Sequence, residues 1–278
     1  MNNTEFTAVV AAGSLAAGFL GALTGLGGGV VIVPLLTLAF GVDIRYAIGA
    51  SLVSVIATSS GAAAAYVKEG FSNIRIGMFL EIATTIGAVF GAFLATKAPT
   101  AAIAIVFGCV LLFSAAMSNR KRPEDDPNRK PDKLATALRM NGSYPVENEK
   151  QHYQVRRVPL GFGIMFGAGT LSGLLGIGSG AVKVLAMDEA MQIPFKVSTT
   201  TSNFMIGVTA AASAGVYLSR GYISPGLAMP VTLGVLAGSL LGAKFLVHAK
   251  THALRIIFAV VIAFLGIEMI YNGFTGRL

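Results

Sequence analysis

Charge is what this sequence has least of. Only 12% of its 278 residues are Asp, Glu, Lys or Arg, about half the roughly 25% of a soluble domain. What charge there is gathers in one place: 16 of the 34 charged residues, ten Lys/Arg and six Asp/Glu, lie in the 40 positions from Asn119 to Val158. The other 238 positions share 18. A core of this size could not be covered by so few charges, and the mean hydropathy is +0.71. Cysteine is as scarce, with Cys109 alone in an apolar run, which excludes a disulfide framework and a Cys-rich metal site. The imidazoles are His152, His248 and His252, none of them mid-span, and no metal or cofactor is expected. Met1 to Thr7 contain no Lys or Arg, so the basic start of a cleaved signal peptide is missing and the segment is expected to stay in the mature protein. The net charge of +8 comes from basic residues beside apolar runs, as in cytoplasmic loops of membrane proteins, and nucleic acid is not an expected partner. The composition predicts an all-α polytopic membrane protein.

Apolar runs long enough to span a bilayer follow one another with short polar breaks. They read as Phe6–Phe40, Ala47–Val67, Ile74–Thr96 and Thr100–Ser118, then Pro159–Ala186, Val197–Leu218, Ile223–Val247 and Thr251–Tyr271. Phe6–Phe40 and Pro159–Ala186 are too long for one span. The list repeats itself. A shift of 151 positions aligns Ala17–Phe113 with Ala168–Phe264 without a gap, and 26 of the 97 pairs are identical. Among them are Gly25/Gly176, Gly27/Gly178, Gly29/Gly180, Ser51/Ser202, Thr58/Thr209 and Tyr66/Tyr217. The expected organisation is a first transmembrane repeat over 1–118, a charged cytoplasmic linker over 119–158 and a second repeat over 159–278, with about 8–10 transmembrane segments. In the linker, Arg120–Lys133 reads as disordered and Ser143–Val158 as a small β-hairpin.

Each over-long run is interrupted by glycine, at Gly25-Leu26-Gly27-Gly28-Gly29 and at Gly176-Ile177-Gly178-Ser179-Gly180. Glycine costs a helix roughly 1 kcal/mol relative to alanine, so such clusters favour a break. The apolar segment after each is half a bilayer long, which suggests a second helical piece starting inside the membrane. Its free N–H groups and positive dipole end suit an anion. Close helix packing is the competing reading, and the preferred one for the spaced pairs Gly87/Gly91 and Gly238/Gly242. Counting each broken segment as one crossing gives four spans per half and parallel repeats; counting it as two gives five and inverted repeats, the arrangement favoured here.

Few side chains inside the runs can carry chemistry. Lys183 stands three residues beyond the second cluster, where the first half has Ile32; it is expected to lie inside the membrane, or else to snorkel or pair with Asp188. Ser198-Thr199-Thr200-Thr201-Ser202-Asn203 opens an otherwise apolar span with six polar residues, whereas an N-cap needs one. Of its first-half counterpart, only Ser51 keeps a hydroxyl. Glu81 lies about seven residues into its helix, as a proton relay or a packing partner. The predicted anion site therefore comprises Gly27, Gly28, Gly29, Ser51, Gly178, Ser179, Gly180, Lys183, Thr200, Thr201, Ser202 and Asn203, with Glu81 for proton coupling. No paired catalytic groups stand in the helices, so an enzyme is not expected.

The stretches GLTGLGGGVVIVPLL from Gly21, SGLLGIGSGAVKVLAMDEAM from Ser172 and KVSTTTSNFMIGVTAAASAGVYL from Lys196 resemble the TauE/SafE sulfite exporter family over nearly the whole chain outside the linker. Ser179 stands where that family usually has glycine, and Leu185 where the first half has Pro34. The resemblance implies a carrier for sulfur-containing anions such as sulfite or organosulfonates in the plasma membrane of a prokaryote. The expected function is secondary transport of such an oxyanion by alternating access, with an uncoupled anion channel as the alternative. The expected partners are the small anion and the lipid bilayer, with a homodimer as the candidate assembly.

Overall fold

The computed structural model describes residues 3–24, 29–68, 72–117, 132–146, 149–246 and 251–276. Gly27, Gly28 and the charged stretch 119–131 lie outside the described residues. In the first half α1 spans Asn3–Thr24, and α2 spans Gly29–Pro34 and continues as a π-helical turn over Leu35–Ala39. Then follow α3 (Ile44–Lys68), α4 (Ile74–Lys97) and α5 (Thr100–Met117). A short α6 (Lys133–Ala137) and an antiparallel hairpin, β1 (Gly142–Val146) with β2 (Glu149–Tyr153), make up the described part of the linker. The second half runs through α7 (Val158–Leu175), α8 (Gly180–Leu185) with a π-helical turn over Ala186–Ala190, α9 (Phe195–Ser219), α10 (Pro225–Leu246) and α11 (Thr251–Thr275). The π turn follows Pro34 in one half and Leu185 in the other, so proline is not its cause.

The chain doubles back between α1 and α2 and again between α7 and α8. Phe6, near the start of α1, packs edge-on against Phe40 beyond the first π turn, with ring centroids 5.9 Å apart. The amide of Arg156, just before α7, donates to the Met191 carbonyl beyond the second π turn at 3.1 Å. Each broken segment is thus a helical hairpin, not a through-going helix. The two hairpins open at opposite ends of the molecule. At one end the Arg45 guanidinium donates to the carbonyls of Ala95 and Ala98 and lies over the Tyr222 ring. At the other, the Asn73 amide side chain donates to the Met140 carbonyl and the Tyr153 hydroxyl, while its backbone N–H donates to Thr201 Oγ1 at 3.0 Å. The linker therefore sits at the α3–α4 turn and the start of α9. Burial raises the pKa of the Tyr153 phenol above its ordinary value, against the lowering effect of Asn73.

Helix faces sort by size in a way that water would not allow. On α4 the buried positions are Gly77, Ala83, Thr84, Gly87, Ala88, Gly91, Ala92 and Ala95, all small, with Ile76, Leu80 and Glu81. Its exposed face carries Met78, Ile82, Ile86 and Phe90 at 49–63% exposure. Small residues inside and large apolar ones outside is the pattern of helices whose surroundings are lipid. Ile74–Lys97 and Val158–Leu175 are long and apolar enough to cross a membrane by themselves. The small residues let backbones touch: a Cβ on Gly91 would collide with the Thr170 carbonyl of α7, and one on Gly173 with the Ala88 carbonyl of α4. The fold is that of an all-α membrane protein.

Candidate substrate site

The tip of the second hairpin is built from left-handed backbone. Gly176, Gly178 and Ser179 have φ of 68°, 71° and 48°. Ser179 is the costly member, since a side chain there strains the backbone by about 1–2 kcal/mol. All five residues from Gly176 to Gly180 are buried, and Ser179 Oγ has no hydrogen-bond partner. The first half reaches into this tip. Ser51 Oγ donates to the Gly176 carbonyl at 2.8 Å, and a Cβ on Gly29 would stand 2.8 Å from Ser51 Oγ and 3.2 Å from the Gly176 carbonyl. Ser202, the counterpart of Ser51, donates from Oγ to the Gly180 carbonyl at 3.3 Å. Gly29, Ser51, Gly178, Ser179, Gly180 and Ser202 are therefore brought together.

Lys183 is fully buried, at 0% exposure. Neither interface snorkelling nor the Asp188 pairing describes it. Side chains on a helix lean toward its N-terminus, so Lys183 reaches back past the tip to α9, where Nζ donates to Thr209 Oγ1 at 2.5 Å. Thr209 in turn donates to Glu81 Oε1 on α4 at 2.7 Å, and Thr85 Oγ1 donates to the same oxygen at 3.2 Å. Glu81 is 8% exposed and its Oε2 has no partner. A buried cation and a buried acid are thus joined through one hydroxyl at the centre of α9, Thr209 being the fifteenth of its 25 residues.

The rest of the polar run does less at the tip than its composition suggests. Thr200 Oγ1 bonds back to the carbonyls of Lys196 and Val197, Ser198 Oγ to that of Ile193, and Thr201 Oγ1 accepts from Asn73. Asn203 is half-buried, and Thr199 Oγ1 is buried without a partner. Sequence reasoning missed two residues, Thr209 and Asn73. Thr209 was visible only as a repeat identity with Thr58; Asn73 had no signal beyond a turn-forming residue type.

A charged, hydroxyl-rich junction buried between helices whose outer faces are apolar defines a class: a membrane transporter. Comparison with known proteins agrees. Residues 10–269 match the family described as "Sulfite exporter TauE/SafE", and the chain belongs to that family. It is similar to the probable membrane transporter protein YunE of Bacillus subtilis, 28% identical over 266 residues that cover 93% of this chain and 95% of the relative. It is also similar to the probable membrane transporter protein MJ0441 of Methanocaldococcus jannaschii, 26% identical with 91% of both chains covered. The probable membrane transporter protein YdhB of Bacillus subtilis is 27% identical over 82% of this chain and 84% of its own length. No solved structure matches. All three relatives are named as probable membrane transporters, and none as an enzyme.

Proposed function

We propose that this protein is a secondary transporter that moves a small sulfur-containing oxyanion, of the sulfite or organosulfonate type, across the plasma membrane of a prokaryote by alternating access. The observation that carries the reading is Lys183: a fully buried ammonium beside the point where both hairpins meet. A cation inside the membrane is costly and marks a substrate or ion pathway. The anion is held by the two glycine clusters, Ser51, Lys183 and the Thr200–Asn203 helix start, and Glu81 couples a proton to its movement. The closed tip favours a carrier over an open pore, since a channel needs a continuous path. Purified protein in proteoliposomes is expected to show saturable flux of at least one of sulfite, thiosulfate and a short alkylsulfonate. Binding of a cation or a neutral solute, with none of these, would overturn the anion reading.

The halves are proposed to be inverted repeats. Three observations support this. Element bounds recur at a 151-residue spacing, as for Gly29–Pro34 and Gly180–Leu185 or Ile44–Lys68 and Phe195–Ser219. The packing of α1 on α10 exchanges with that of α7 on α4 under the same shift. The hairpins open at opposite ends. Each half then contributes a hairpin and three full crossings, and both termini face away from the linker, for which its ten Lys/Arg favour the cytoplasmic side. Single-cysteine labelling should find residues 5 and 272 on the periplasmic face and residue 152 on the cytoplasmic face. Residues 5 and 152 on one face would require parallel halves.

A further inference from the structure

We propose that Thr209 is the positioning residue of the coupling device: it holds Glu81 against Lys183 so that the empty site neutralises itself, and an anion arriving at Lys183 displaces the carboxylate, which then takes a proton from water on the open side. The inference rests on the transport reading above and names how that same site is regulated.

Its basis is the direction of the hydrogen bonds. Thr209 has one hydroxyl proton. Because Lys183 Nζ can only donate, Thr209 Oγ1 accepts from it, and its own proton is left for Glu81 Oε1. Thr209 also lies near Thr84 Oγ1 at 3.4 Å and the Met205 carbonyl at 2.9 Å, so its proton has another acceptor when Glu81 leaves. Thr84 and Thr85 are then left as the hydroxyls beside the carboxylate, and Glu81 Oε2 already lacks a donor. Among the described residues no other charge competes. Between Val158 and Leu175, α7 carries no titratable side chain; Lys196 on α9 and Arg75 and Lys97 on α4 are exposed at helix ends; Asp188 and Glu189 lie on the π turn beyond Lys183. Lys183 is the charged group that interacts with Glu81.

The repeat-related positions carry no charge. The positions 151 residues away from Lys183, Thr209 and Glu81 are Ile32, Thr58 and Thr232. Threonine is kept on the middle helix in both, yet only Thr209 has a base, Lys183 of its own half, and an acid, Glu81 of the other half, to join. A hydroxyl that served packing alone would not need them. The coupling device is thus one-sided, and one proton accompanies each anion that separates the pair: the anion meets Lys183, Glu81 releases it, and the proton enters from bulk water onto the carboxylate.

The experiment measures flux of the transported oxyanion against pH in proteoliposomes at clamped potential. It compares wild type with Thr209→Val, Thr209→Ser, Glu81→Gln and Thr209→Val/Glu81→Gln. A carboxylate that loses a donor keeps its proton to higher pH, so Thr209→Val is expected to move the flux midpoint upward, by about one unit or more, and Thr209→Ser to restore it. Glu81→Gln is expected to flatten the profile, and adding Thr209→Val to it to leave the profile flat. A wild-type profile in Thr209→Val, or equal impairment in Thr209→Ser, would overturn the proposal. Should Thr209→Val fail to fold, a pH-dependent profile in Glu81→Gln overturns it, and a flat one supports it. Absence of any anion flux in wild type would instead remove the transport reading on which it rests.

Discussion

Replacing Lys183 with alanine is expected to lower the affinity for a sulfur oxyanion by about 100-fold or more. At an effective dielectric of about 20, a unit charge 4 Å from an anion contributes about 4 kcal/mol, which is near 1000-fold in binding. A neutral hydroxyl or backbone N–H contributes about 1 kcal/mol, so the cation dominates. Part of its attraction is spent in the empty site on Glu81, which sets the lower figure. By contrast, Gly28→Ser copies Ser179 into the first half and is expected to change affinity several-fold at most. Titration calorimetry of sulfite and thiosulfate on detergent-purified protein measures both. Equal losses would place the site on backbone N–H groups shared by the two clusters. Stability provides a separate check. Removing Lys183 leaves Glu81 buried without its cation, a defect worth about 3–5 kcal/mol. Lys183→Ala/Glu81→Gln removes both charges, so it should regain the lost stability while binding stays lost.

The second large effect concerns the crossing of α4 and α7. Gly91→Leu and Gly173→Leu each put a side chain where a carbonyl of the partner helix already lies. Because the obstacle is backbone, no rotamer change relieves it, and overpacking of this kind costs about 3 kcal/mol or more. That corresponds to a fall of about 6–12 °C in thermal midpoint for a chain of this size. Gly167→Leu, on the same α7 but facing open space, is the control and is expected to leave the midpoint nearly unchanged. Thermal unfolding followed by size-exclusion chromatography separates the cases. A tolerated Gly91→Leu would mean that α4 and α7 do not approach as closely as described.

Much of this arrangement could be read along the chain, because the signals are local. The apolar run from Ile74 and the breaker Lys97-Ala98-Pro99 set the ends of α4 within a residue. The hairpin of the linker was carried by Tyr144 and Tyr153 on either side of polar turn residues. Lys183 stood out as a charge in an apolar run. Its partners did not, since Glu81 is 102 residues away and nothing local joins it to α9. The second glycine cluster announced a break but not its angle, because the reversal there uses left-handed dihedrals at Gly176, Gly178 and Ser179, of which one belongs to a serine. The polar run was legible by composition but not by its partners. Composition counts hydroxyls, whereas Thr200 Oγ1 bonds back to the Lys196 and Val197 carbonyls and Thr201 Oγ1 accepts from the Asn73 backbone N–H.

The glycine crossings decide what can move. Gly91 and Gly173 weld α4 to α7, and on the other flank Gly18 and Gly238 bring α1 against α10, again with backbone facing backbone. Each weld takes one helix from either side of the linker. The parts joined by the peptide chain are therefore not the parts joined by packing. Sliding one sequence half over the other would tear both seams. Two composite blocks, α1 with α10 and α4 with α7, can shift with their seams intact, each carrying the long arm of one hairpin. Between those blocks stand α3 and α9, which pack on each other and on α10 and α4 respectively, so the proposed alternating access has its pivot there, with Thr209 midway along α9.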